Sequence, residues 1–282
     1  VTVVRTETIS ESTAEAYRGT FAEGEAQLHA GDPLPPAWEG AYFPFAAPLA
    51  DLRPDGTPAR DGVLPEIDLP RRMYAGETTE FLRPLPVGAE VTQTTSLGSV
   101  AEKSGSGGRL VFVDIEREYA VQGETAVRSV WHDVFLEQGD PDVPAKPAST
   151  DPDAWSSADW QEERILDARQ LFRFSALTFN THLIHYDRAW ARDVEGLPDL
   201  LVHGPLTRIL LMDAARRHEP LRTPQRLKVR AVAPTLVDRS VRVAGRTGDG
   251  ATRITALDED DVVLATAEVT WADDGAPQGG AE

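Results

Sequence analysis

The sequence predicts an α+β protein in which antiparallel sheet curls around a buried helix. Three observations carry that prediction: each half of the chain ends in a run of strand-length segments, one strongly apolar helix precedes the second run, and strands and helices do not alternate as in a parallel βαβ fold. Two such units fit within 282 residues, enough chain to bury a substantial core.

Ser12 followed by Glu15 has the form of a capping box, and Ala14, Tyr17 and Phe21 then share one face, so a short N-terminal helix is expected. From Gly31 to Pro70 the chain is rich in proline and glycine. Trp38, Tyr42, Phe43 and Phe45 lie within it, which predicts a long ordered connection whose aromatics cover something. Strands are expected over Thr79–Leu82, Val91–Leu97, Leu110–Val121 and Thr125–Leu136. The third is clearest, because Val111, Val113, Ile115, Tyr119 and Val121 alternate with Phe112, Asp114, Glu116 and Glu118. Ser104–Gly108, SGSGG, joins two of these strands. A phosphate-binding loop needs a helix after it, whereas a strand follows here, so the segment reads as a hairpin turn.

The polar, proline-bearing stretch 138–157 has the composition of a connection between two folded units. Beyond it, Gly204-Pro205 marks a helix start at Pro205, since proline suits the first helical position. Leu206, Ile209, Leu210, Leu211, Met212, Ala214 and Ala215 then surround the helix with apolar side chains, so it should be buried. Four further strands are expected over Arg226–Ala233, Arg239–Arg246, Ala251–Leu257 and Val262–Trp271, and a disordered tail over 273–282.

The charge balance, 28 Lys and Arg against 46 Asp and Glu for a formal −18, argues against nucleic acid or an anionic membrane as the main partner. The absence of cysteine excludes disulfides, thiolate metal sites and a cysteine nucleophile. The start VTVVRTETIS has no basic segment leading into a long apolar run, and the most apolar window, Ala41–Ala50, is broken by Pro44 and Pro48. A soluble cytoplasmic protein is therefore expected.

Two stretches read as one site: Phe172–Asp187, FRFSALTFNTHLIHYD, and Asp199–Arg217, DLLVHGPLTRILLMDAARR. The unpaired N–H groups of the first helical turn suit a carbonyl oxygen gaining negative charge, while His185 and Asn180 can move a proton and hold a water. The same residues admit plainer readings. A lone histidine in apolar surroundings is often a satisfied structural residue, and His182, His185 and Asp187 could be metal ligands, although no zinc-helix spacing is present and no metal is expected. Arg216 and Arg217, with Arg226, Lys228 and Arg230, form the densest basic cluster. It reads equally as a binding surface for a phosphorylated carrier and as a solvated face.

The chain resembles the MaoC-like enoyl-thioester hydratases and dehydratases of the double hotdog type, in particular the branch containing mesaconyl-CoA (3-methylfumaryl-CoA) hydratases. The resemblance rests on Phe174–Asp187, Leu200–Leu206 (LLVHGPL), Arg71–Gly88 (RRMYAGETTEFLRPLPVG), Ser104–Val113 and Leu34–Phe43. It implies two curved antiparallel sheets each wrapped around a helix: an N-terminal, substrate-accommodating unit over 1–137, a linker over 138–157 and a catalytic unit over 158–272. It also implies reversible hydration of an enoyl-CoA, with mesaconyl-CoA favoured. On that reading His185 is expected to carry the proton, Asn180 to hold the water and the Gly204 N–H to polarise the thioester carbonyl. His182, His203, Tyr186, Arg226, Lys228 and Arg230 are the candidate substrate-binding residues. No cofactor is implied beyond the coenzyme A of the substrate, and a homodimer is expected, with acyl carrier protein as an alternative partner. In the wider family the pattern is Asp-x-Asn-Pro-x-His. Aligning its histidine with His185 puts Asn180 where the aspartate stands and His182 where the asparagine stands, so one histidine is left to carry both proton transfers. The rival functions are a thioesterase using Asp213, a non-catalytic acyl-binding module, and a dehydratase acting on carrier-protein thioesters.

Overall fold

The computed structural model describes residues 1–59, 62–105, 108–137 and 148–272. Among the described residues ten strands form one continuous antiparallel sheet. The first half contributes β1 (Thr2–Thr8), β2 (Arg71–Phe81), β3 (Glu90–Gly105), β4 (Gly108–Val121) and β5 (Glu124–Leu136). The second contributes β6 (Trp160–Ile165), β7 (Pro224–Ala231), β8 (Ser240–Thr247), β9 (Ala251–Leu257) and β10 (Val263–Trp271). The spatial order is β1-β3-β4-β5-β2-β7-β10-β9-β8-β6, so the halves meet where β2 pairs with β7, Gly76 opposite Arg230 and Glu80 opposite Arg226. Two separate sheets were expected. They join because β2 and β7 are each the inner edge of a five-strand set, and pairing removes two open edges at once.

All eight expected strands are present, several longer than the pattern indicated. β1 and β6 were not anticipated: β1 is half solvated and β6 is six residues long, so neither carries a strong apolar alternation. The Ser104–Gly108 turn falls where expected, with Gly105 opposite Gly108 across the hairpin; residues 106 and 107 lie outside the described region. The expected linker lies partly outside it as well, and its later part contains a short helix, α2 (Pro152–Ser156), capped by the Asp151 side chain. The tail 273–282 is also outside the described residues.

α1 (Glu11–Phe21) buries Ala14, Tyr17 and Phe21 as the pattern predicts, but its cap is Ser10, whose Oγ accepts from the Thr13 N–H at 3.2 Å. Ser12 lies inside the helix, and Glu15 pairs with Arg18 at 2.7 Å. α1 packs mainly on α3 (Ala168–Thr178) and on the turn Trp38–Ala41. α4 (Gly204–His218) is the buried helix, starting one residue before the expected Pro205. It lies against β2 of the first half and against β7, β8 and β10 of the second, so it crosses the seam between them. Leu206, Ile209, Leu211 and Met212 are essentially sealed from solvent, and each stabilises the fold by about 1.5–3 kcal/mol relative to exposure. Among the described residues no helix is long and apolar enough to cross a membrane.

The apolar pattern of α4 has two buried polar exceptions. Arg208 is 2% exposed and ion-pairs with Glu39 at 2.9 Å and Glu77 at 3.3 Å. Asp213 accepts hydrogen bonds from Tyr17 Oη at 3.1 Å and Trp38 Nε1 at 2.8 Å, and pairs with Arg216 at 3.1 Å. Both groups tie the N-terminal connection to the helix. The aromatics of that connection do cover something: Trp38 packs against Tyr17 with the rings tilted by 55° and centroids 4.6 Å apart, and Phe43 meets Tyr119 edge-on at 5.5 Å.

A second tie joins the connection to the turn carrying the histidines. Leu183 N–H donates to Asp55 O at 2.8 Å and Thr181 Oγ1 to Gly56 O at 2.7 Å, while the Asp55 carboxylate holds the bend by accepting from Thr57. Gly56 has φ +84°, and a Cβ there would lie 1.9 Å from the Thr181 carbonyl oxygen. Gly56→Ala should therefore lower stability by about 1–3 kcal/mol in urea titration, whereas Gly24→Ala, which meets nothing within 4 Å, should stay within about 0.5 kcal/mol.

Candidate active site

The site is assembled where α3 ends and α4 begins. Asp167 and Gln170 form a capping box at the start of α3, and the helix stops at Phe179, which takes a left-handed conformation with φ 51°. Phe172–Thr178 is thus helical, which its sequence did not indicate. The chain then passes through Asn180 and His182 into a single 3₁₀ turn, Leu183–His185.

That turn buries His185. Its Nδ1 is 2.7 Å from the Leu201 carbonyl oxygen, and because a carbonyl only accepts, Nδ1 carries the proton and Nε2 is left with a lone pair. Leu201 N–H in turn donates to Ile184 O at 3.0 Å, so the turn and the segment entering α4 hold each other. Burial, with a smaller contribution from neighbouring His182, pushes the His185 pKa down to about 3 despite the bond to Leu201; the ring is neutral at physiological pH. His182 is likewise pushed down to about 3, by burial and then by Arg72 and Arg53.

His203 stacks on His185, centroids 3.6 Å apart and planes 20° from parallel, and its Nε2 lies 2.8 Å from Ser175 Oγ. Burial lowers its pKa well below the usual range. Fully buried behind His185, it supports that ring and does not line the cavity. Asn180 accepts the His182 N–H on Oδ1 at 3.0 Å, which leaves its amide NH₂ to donate.

The cavity in front has a volume of about 450 Å³, with apolar walls that include Met73, Ile184, Leu201, Val229 and Leu264. Its polar groups converge: Asn180, His182 and His185 on one side, Gly204 at the N-terminus of α4 on another. The Gly204 N–H precedes the intrahelical ladder and sits at the positive end of the helix dipole. Only glycine fits there, since a Cβ would lie 2.2 Å from the Tyr74 ring. The groups available are a neutral imidazole, an amide donor and a helix N-terminus around one apolar space, which is a set able to transfer a proton beside a polarised carbonyl.

The other candidates are placed elsewhere. Arg226, Lys228 and Arg230 are exposed on β7, while Val229 and Ala231 of the same strand face the cavity; the two-residue strand period sets the basic stripe on the opposite face of the sheet. There Arg226 stands across from Glu80 and Lys228 across from Glu268. Arg216 and Arg217 are engaged by Glu25 and Glu162. Tyr186 is 45% exposed and donates to Thr181 O at 3.0 Å, outside the cavity wall. Asp213, the thioesterase candidate, is a fully buried structural acceptor and does not line the cavity. Asp187 caps the Trp190 N–H at 3.0 Å instead of joining His182 and His185. Among the described residues no group of three or more His, Asp or Glu is placed to hold a metal.

Several site residues were not anticipated. Tyr74, on β2, packs against both Gly204 and Trp131, the latter at 4.8 Å, and its buried hydroxyl has no hydrogen-bond partner. Its ring lies within the quoted RRMYAGETTEF segment, but nothing in that spacing points it at a helix 130 residues away. A second chamber of about 700 Å³ adjoins the first, sharing Phe45, Trp131, Asn180 and Pro205, and is lined by Glu39, Glu77, Arg117 and Arg208. Its signal in the sequence is Arg117, which occupies the apolar register of β4 between Ile115 and Tyr119.

Comparison with known proteins agrees with this architecture. One relative, mesaconyl-C(4)-CoA hydratase of Chloroflexus aurantiacus, is 41% identical over 189 residues, which are 67% of this chain and 66% of that protein. The chain thus spans just under two thirds of that relative's length. In three dimensions it is similar to a MaoC-like dehydratase from Phytophthora capsici, with a TM-score of 0.69 and 18% identity over 98% of this chain and 96% of the other. It is also similar to a double hotdog protein from Mycobacterium tuberculosis, with a TM-score of 0.61 and 15% identity over 95% of both chains. The joined ten-stranded sheet is accordingly a double hotdog. With residues 37–237, most of its length, matching the family of hydroxyacyl-thioester dehydratases type 2, the chain belongs to that family.

Proposed function

We propose that the protein is a hydro-lyase that adds water reversibly across the double bond of an enoyl-CoA, with mesaconyl-CoA, a short branched chain, as its substrate. The observation that carries this reading is the neutral His185, its Nδ1–H committed to Leu201 O and its Nε2 lone pair left beside the cavity that also receives the N-terminus of α4. Coenzyme A as the carrier is supported by the name of the 41%-identical relative.

The thioester carbonyl accepts the Gly204 N–H, and the helix dipole stabilises the negative charge that forms on its oxygen. Asn180 donates its amide N–H to the water. As the water oxygen bonds to the β-carbon, the double-bond electrons move into the thioester enolate and the water's proton passes to His185 Nε2. The enolate then collapses, taking that proton on the α-carbon and restoring the carbonyl. An imidazolium is unfavourable in so dry a site, so His185 carries the proton without storing it. An amide cannot share the transfers as a carboxylate could, so both hydrogen and hydroxyl are delivered from the face on which His185 stands.

Enoyl-thioester absorbance and free thiol followed together provide the test. Wild type should lose the conjugated absorbance without releasing thiol, and His185→Ala should slow that loss by roughly a hundredfold or more; thiol release would mean hydrolysis instead. The acid side of the pH profile is a separate prediction. A base with its pKa lowered to about 3 is unprotonated throughout the neutral range, so kcat/KM should be flat from about pH 5 to pH 8 and fall only as the pH approaches the depressed value. An acid limb centred near the ordinary histidine value would contradict the neutral-base assignment.

A further inference from the structure

A carboxylated acyl chain needs a cation, and the basic residues on β7 face away from the cavity. We propose that the second chamber is the subsite for a carboxylate carried on the β-carbon of the enoyl chain, and that Arg117 is the group that selects for it. This inference rests on the hydratase reading and deepens it.

Arg117 stands at an interior position of β4, between buried Ile115 and Tyr119, and lines the second chamber. Its guanidinium lies over the Trp131 ring, 4.6 Å from the centroid. Among the described residues no carboxylate comes within ion-pairing distance of it. Of the chamber's other arginines, Arg208 is already held between Glu39 and Glu77, and Arg5 donates to the Phe43 and Pro44 carbonyl oxygens. Arg117 instead keeps its planar set of guanidinium donors for a ligand.

The surroundings of Arg117 are polar without being ionic. Directly across the sheet from it are Thr95 on β3 and Ser129 on β5, both buried. Ser129 Oγ has no hydrogen-bond partner. Of the two, Thr95 lines the chamber. Gln93, also buried, lines the same chamber.

Position relative to the reacting atoms follows from packed rings. Arg117 covers Trp131, Trp131 meets Tyr74 edge-on at 4.8 Å, and Tyr74 is the ring against Gly204. Trp131 and Asn180 line both chambers. A thioester held at Gly204 therefore directs its β-carbon, with any substituent, toward the junction that Asn180 occupies and Arg117 overlooks. In mesaconyl-CoA bound through the carboxyl remote from its methyl group, that substituent is a carboxylate. Arg117 is a specificity residue in this account: a planar guanidinium, partly desolvated on an aromatic face, suits bidentate recognition of such a group.

The test compares mesaconyl-CoA carrying its free carboxylate on the β-carbon with 3-methylcrotonyl-CoA, in which a methyl group replaces that carboxylate. The ratio of kcat/KM for the two thioesters should fall roughly a hundredfold in Arg117→Leu and recover in part in Arg117→Lys. The ratio cancels any general loss of activity, and Arg117→Gln supplies the same reading if the leucine variant does not fold. A ratio within about threefold of wild type in folded variants overturns the subsite. Wild type that hydrates 3-methylcrotonyl-CoA and ignores the carboxylated thioester also overturns it, while leaving the hydratase reading intact; wild type that hydrates neither overturns both.

Discussion

One hydrogen bond of 2.7 Å, from His185 Nδ1 to the Leu201 carbonyl, decides what the site can do. It fixes the tautomer, so the nitrogen with a lone pair is the one left for chemistry. It also fixes position, because Leu201 lies three residues before Gly204 and is itself bonded to Ile184, Thr235 accepting from the next N–H at 2.8 Å. The base and the carbonyl-polarising N–H are therefore mounted on one short rigid segment. His203 completes the mounting: it stacks flat on His185 and is steadied by Ser175 of α3. A catalytic pair assembled this way tolerates little relative movement, which is what proton transfer beside an oxyanion-stabilising donor requires.

That segment is held in turn by α4, the element both halves share. Its apolar side chains explain why it is buried, and Arg208 explains how it is oriented: a guanidinium with Glu39 on one side and Glu77 on the other engages both the N-terminal connection and β2. Buried ion pairs seldom add net stability, but removing one partner costs about 3–5 kcal/mol, so such a cluster penalises any other seating of the helix. Half-buried Arg117 in the same chamber has no such partner among the described residues, and the difference between a paired and an unpaired cation distinguishes structure from recognition there.

Much of this was legible in the sequence, and the parts that were not share a cause. The Gly204-Pro205 start and the all-round apolar run identified α4, and the two-residue alternation from Val111 to Val121 identified β4, because local spacing determines both. His185, Asn180 and Gly204 do line one cavity. Arg226, Lys228 and Arg230 were grouped correctly on one face of a strand, yet alternation alone cannot tell which face meets the cavity; Leu227 and Val229, buried on the other side, settle it in three dimensions. Tyr74 and Asp55 escaped notice because their importance depends on contacts with Gly204 and Leu183, far away in the chain. Ser12 carries the capping-box spacing to Glu15, yet Ser10, with Thr13 at that spacing, is the cap, because Glu15 pairs with Arg18 instead of reaching back. Arg117 was visible as a charge in an apolar register, but its significance depends on the missing counter-ion, which only the packed structure reveals.

The central claim is that His185 is a neutral imidazole with its proton on Nδ1. Nitrogen-15 spectroscopy of histidine-labelled protein tests it directly, with the His185 signal among the six histidines assigned through His185→Gln. The account predicts a protonated Nδ1, an unprotonated Nε2, and no titration of either between about pH 5 and pH 8. A proton on Nε2, or a titration centred near 6.5, would contradict it.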